Sequence, residues 1–121
     1  MPRYETDLRT RTKAFAIGAY RLSRDIRHRY PALRNYAEQM CDAAGSIGAN
    51  LAESDGGNSS RELAARYAIA LKESKEAAHW LEVLAGCEPA LEPGLAPLLA
   101  ECKEFIAMCT KALKKLRPPP Q

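Results

Sequence analysis

Asp42-Ala43-Ala44-Gly45-Ser46-Ile47-Gly48-Ala49-Asn50-Leu51-Ala52-Glu53-Ser54-Asp55 carries two large apolar residues, Ile47 and Leu51, on a seam already set by Met40 and Ala44. Gly45, Gly48, Ala49 and Ala52 leave bare backbone beside that seam, so a second helix can approach closely. A glycine inside a helix costs roughly 1 kcal/mol relative to alanine. Tight interhelical packing is the expected compensation, and the segment reads as the spine of a helix bundle.

Upstream the same seam continues. Leu33, Ala37, Met40, Ala44, Ile47 and Leu51 alternate in steps of four and three, the spacing of helices crossing near 20°. This helix is expected to start near Ala32, with Pro31 in its tolerant first turn, and to stop at Ser54-Asp55-Gly56-Gly57-Asn58. Before it, Leu8, Phe15, Ala19, Leu22 and Ile26 share one face of a helix that Thr6 would cap and Tyr30-Pro31 would end. After it, Ser59 and Glu62 fit a capping box, and Leu63, Tyr67, Ala70, Ser74, Ala77, Leu81 and Leu84 form a third seam. Gly86 to Gly94 reads as a break. Leu95, Leu98, Cys102, Phe105, Cys109, Ala112 and Leu116 form a fourth seam, which Leu99, Ile106 and Leu113 widen, and Pro118-Pro119-Pro120 stops that helix. Helices over roughly 7–29, 32–55, 60–86 and 95–116, with no strand signal, predict an all-α, antiparallel up-down-up-down four-helix bundle in one domain.

The 121 residues suffice for one core. No apolar run reaches the roughly 20 residues that span a bilayer, and no signal peptide follows Met1, so a cytoplasmic protein is expected. Cys41, Cys87, Cys102 and Cys109 form no Cys-x-x-Cys pair and are expected to be core thiols. His28 and His79 show no ligand spacing, so neither metal nor cofactor is expected. Glu76-Ala77-Ala78-His79 is a single Glu-x-x-His, without the second pair that a di-iron bundle needs. No nucleophile triad or phosphate loop is visible, and Gly56-Gly57 reads as a helix stop. The chain is not expected to be an enzyme.

The net charge of +3 is unevenly spread. Residues 1–34 hold nine Arg/Lys and three acids, residues 35–110 hold five and twelve, and residues 111–121 hold four and none. Basic ends around an acidic middle suggest an anionic partner or self-association. Arg9, Lys13, Arg24 and Arg27 project opposite the first helix's core face, beside Arg21 and His28, and fit either a solvated face or phosphate contact. Lys111, Lys114, Lys115 and Arg117 suit the fourth helix's dipole or an anion. Ile17 and Tyr20 lie among the first-helix charges, and Ile69, Trp80 and Val83 form a second apolar group on the third helix. Apolar residues so placed point to an oligomer or a partner helix. Asn50 and Glu53, near the second seam, are expected to tie helices together.

Ser46-Ile47-Gly48-Ala49-Asn50-Leu51-Ala52-Glu53, Tyr67-Ala68-Ile69-Ala70-Leu71-Lys72-Glu73, Glu76 and His79-Trp80-Leu81-Glu82 resemble the four-helix-bundle proteins encoded in 23S rRNA intervening sequences. The accessory variability determinants of diversity-generating retroelements resemble the chain in the same way, over roughly residues 8–116. The resemblance implies a homopentamer around a central channel, associated with nucleic acid, RNA above all, or with a nucleic-acid-processing protein. Gly48, Asn50, Glu53 and Glu76 match the family pattern and read as packing and helix-tying residues. The basic candidates come from charge geometry alone.

Overall fold

The computed structural model describes residues 2–53 and 59–116. They form α1 (Pro2–Arg29), α2 (Arg34–Ala52), α3 (Ser60–Cys87) and α4 (Glu92–Leu116), with 3₁₀ turns at Pro31–Leu33 and Pro89–Leu91. No strand occurs among the described residues. Each helix packs chiefly on its sequence neighbours, and α1 and α4 close the ring more loosely, which completes the antiparallel four-helix bundle.

The four seams meet in one core. Phe15, Ala19 and Ile26 face Met40, Ala44 and Ile47 from α2, Ala77, Leu81 and Leu84 from α3, and Cys102, Phe105 and Cys109 from α4, all buried. Phe15 and Phe105 meet edge to face at 5.3 Å between centroids. Each such large side chain contributes about 1.5–3 kcal/mol by leaving water. Two polar residues also lie within the α1 seam. Thr12 donates to the Arg9 carbonyl at 3.1 Å, and Ser23 donates across the helix interface to the Ala37 carbonyl at 3.1 Å. Both hydroxyls are thereby satisfied where water is excluded.

Pairs of contacts fix the register. A β-carbon built at Gly48 would stand 2.9 Å from Thr12 Oγ1 and 3.1 Å from Thr12 Cβ. From Thr12 to Ser23, and from Gly48 to Ala37, is eleven residues on either helix, so both contacts belong to one antiparallel α1–α2 register. On the other side Leu98 packs against Gly18 and Leu22 against Gly94, each 3.5 Å from where a β-carbon would be. Leucine against glycine in both directions brings α1 and α4 together.

The two hairpin connections are the same device. Tyr30-Pro31-Ala32-Leu33 and Glu88-Pro89-Ala90-Leu91 each place a non-helical residue before proline, with φ −132° and −142°. Each then closes a 3₁₀ turn, from Leu33 N–H to Tyr30 O and from Leu91 N–H to Glu88 O, both 2.9 Å. Proline cannot continue the preceding helix but suits the first turn of the next one.

Several boundaries differ from expectation. α1 begins at Pro2, so Thr6 lies inside the helix and is not its cap. α2 ends at Ala52, and Ser54 to Asn58, the expected stop, lie outside the described residues, as do Arg117 and the prolines after it. The break between α3 and α4 is not Gly86–Gly94 but only Glu88–Leu91. Gly86 lies inside the last turn of α3, which ends at Cys87, and Pro93 sits in the first turn of α4, where its missing N–H removes no helical bond. Ser59 does cap α3, accepting from Glu62 N–H at 3.1 Å, and the Glu62 carboxylate accepts from the Ser59 hydroxyl at 3.2 Å. Gly45 does not sit in a helix contact: nothing lies within 4 Å of a β-carbon there.

The two α2 glycines should therefore respond oppositely to alanine. Gly45→Ala should stabilise by up to about 1 kcal/mol through helix propensity. Gly48→Ala should destabilise by about 1–3 kcal/mol, because Thr12 must be displaced. Urea unfolding of both variants checks the signs.

Candidate functional site

Near the end of α2, Gly48 faces α1 while Asn50 and Glu53 turn toward α3. The Asn50 side chain donates to the Ser46 carbonyl at 2.8 Å and accepts from Arg66 Nη1 at 3.3 Å. Arg66 Nη2 stands 2.8 Å from Glu53 Oε2. Arg66, on α3, thus clamps both α2 residues. Sequence reasoning missed it, since a helical arginine gives no sign of its partner. The pair is part-exposed and contributes about 0–1 kcal/mol, so its use is to hold register. At the opposite end of the same groove Tyr36 stacks on Trp80, 5.4 Å between centroids and 23° from parallel. Tyr36 to Asn50 and Trp80 to Arg66 are both fourteen residues, again one register.

Glu76 and His79 are exposed, with His79 edge-on to Trp80 at 4.9 Å, so this Glu-x-x-His faces away from the core. Among the described residues no group of three or more His, Cys, Asp or Glu could hold a metal. Burial, then the neighbouring Glu76 carboxylate, holds the Glu73 carboxyl above its usual range.

The thiols divide. Cys102 and Cys109 are buried, and burial raises them to about 12 and about 11. Cys41 is half-buried and Cys87 exposed, so the expectation of four core thiols fails for Cys87. Cys87 is the last residue of α3, beyond Leu84, the last buried residue of that helix.

The basic candidates fall into two groups. The Gly18–Leu98 and Leu22–Gly94 contacts place α1 residue 9 level with α4 residue 107, so Lys114 lies about 10 Å further along the axis. By the same register Lys13 is level with α4 residue 103, so Arg9, Lys13, Lys114 and Lys115, all exposed, lie in the half of the bundle that holds the α1 N-terminus, spread over about 18 Å of its axis. Arg24 and Arg27 belong to the other end. Arg24 is exposed and stacks on the Tyr20 ring at 5.7 Å, while Arg27 is half-buried, its Nε donating to the Ser23 carbonyl at 3.3 Å. Arg11, which charge counting groups with them, is instead structural. It forms a bidentate pair with Glu101, one bond being 3.0 Å, and lies over the Phe105 ring at 5.7 Å. Ile17 and Tyr20 remain 53% and 49% exposed, Ile69 is 38% exposed, and Trp80 and Val83 are half-buried. No described helix is long and apolar enough to cross a membrane.

The profile described as 23S rRNA-intervening sequence protein matches residues 5–111. No curated protein matches significantly. A crystal structure from Bacteroides thetaiotaomicron VPI-5482, described as a protein of unknown function from the S23 ribosomal protein family, is 23% identical. It superposes with a TM-score of 0.80 over 88% of this chain and 97% of its own. That likeness establishes the four-helix fold.

The thiol environments predict a graded reaction with a disulfide reagent at pH 8. Cys87 should react at once, Cys41 more slowly, and Cys102 and Cys109 only after unfolding. The buried thiols also set a pH dependence. Unfolding returns them from about 12 and about 11 to the ordinary value of 9.0, so the unfolded chain releases protons that the native one keeps. Their contribution to stability should be constant below pH 9 and fall as pH rises from there toward 12, as thermal melts across pH 8–12 would read.

Proposed function

The chain belongs to the 23S rRNA-intervening sequence protein family, and we propose that it acts as a non-enzymatic, homo-oligomeric four-helix bundle that associates with RNA. The placing of Arg9, Lys13, Lys114 and Lys115 in the same half of the bundle supports this reading. These residues come from the two basic ends of the sequence, and only the antiparallel fold unites them. Arginine and lysine there would neutralise phosphates and release counterions, giving affinity that is steep in salt and indifferent to base sequence. Repetition around an oligomer, a pentamer on the family resemblance, would add modest contacts by avidity. The protein would work in the cytoplasm without a cofactor.

A second reading, an assembly adaptor that binds no nucleic acid, draws on the exposed Ile17 and Tyr20. Apolar docking of that kind would change little with salt.

Binding of a structured RNA, beside a DNA duplex, at low and moderate salt tests the proposal. Binding should fade as salt rises, and Lys13→Glu combined with Lys114→Glu should weaken it at least tenfold while leaving helicity unchanged. Indifference to RNA at low salt would overturn the proposal and favour the adaptor.

A further inference from the structure

α1 and α3 occupy diagonal corners of the bundle, since each packs on α2 and α4. Helix α2 therefore stands between them, and their outer residues do not pair within one chain. The α1 stripe reads Ile17, Tyr20, Arg24, Arg27, at intervals of three, four and three. Taken backwards, the α3 stripe reads Val83, Trp80, Glu76, Glu73, at the same intervals. All eight residues are exposed or half-buried in the single chain. Each stripe covers about 15 Å of helix.

We propose that these stripes pair antiparallel between two copies of this chain, with Ile17 on Val83, Tyr20 on Trp80, Arg24 on Glu76 and Arg27 on Glu73. The inference rests on the oligomeric part of the proposed function and supplies its interface.

Charge complementarity and matched spacing select a second copy as the occupant. Apolar residues meet apolar residues at one end of the contact, and both guanidinium groups meet both carboxylates at the other. Glu73 and Glu76 lie side by side, a like-charge arrangement that incoming cations relieve. Trp80 is already braced by Tyr36, and Tyr20 lies against Arg24, so two aromatic anchors are ordered before association. The two surfaces differ, making the contact heterologous, and such contacts build rings when the rotation closes. The same pairing removes Arg24 and Arg27 from the solvated surface and leaves Lys13, Lys114 and Lys115 exposed.

Native mass of the wild type, Arg24→Glu, Glu76→Arg and the double variant tests this, with circular dichroism confirming helicity. The wild type should be an oligomer, either single variant should dissociate at least tenfold more readily, and the double variant should recover the wild-type mass. An oligomer unchanged by both single variants would overturn the pairing while leaving the oligomeric reading intact. Failure of the double variant to recover would also overturn the pairing. A wild type that stays monomeric at every concentration would overturn both.

Discussion

The bundle depends on α1 and α2 lying so close that Thr12 occupies the space a β-carbon at Gly48 would need. That approach fixes the distance between the helices. The Ser23 hydroxyl on the Ala37 carbonyl, eleven residues along, fixes the rotation of α1 about its axis. Rotation decides what α1 shows to the outside. With Thr12, Phe15, Ala19, Ser23 and Ile26 turned inward, Ile17, Tyr20 and Arg24 have nowhere to go but outward. The exposed stripe is thus a consequence of the core, and the helical cost of Gly48 is offset by the packing it permits.

Much of this was legible in the chain. The three-four alternation of Leu33 to Leu51 and of Leu95 to Leu116 placed two seams, because burial on one helix face imposes that spacing whatever the partner. Proline was harder to read. Pro31 and Pro89 each stop one helix and start the next within four residues, but the glycines around Pro89 and Pro93 suggested a longer break. The α1 seam was read without Thr12 and Ser23. Hydroxyl residues look polar in sequence, and they enter a core only where a helical carbonyl lies within reach.

Pairwise contacts were the least legible. Asn50 and Glu53 could be recognised as helix-tying residues from their place beside the seam, but Arg66 could not, and neither could the Arg11–Glu101 pair. Which cation meets which acid depends on the register of helices far apart in sequence. The same dependence brings Lys114 and Lys115 into the half of the bundle that holds Arg9 and Lys13. Projection on a helical wheel groups the four α1 residues together, whereas the fold divides them between opposite ends of the bundle.

The proposed function rests on where antiparallel topology leaves the ends of the chain. The first turns of α1 and the last turns of α4 lie at one end, and the helices between them carry the acidic and apolar surface that suits self-association. The direct test of that division is amide hydrogen exchange on the wild-type protein, with and without a structured RNA at low salt. The account predicts RNA-dependent protection at the N-terminal turns of α1 around residues 9–13 and at the last turns of α4 around residues 111–116. Protection along the outward face of α3, with the ends of α1 and α4 unchanged, would contradict it.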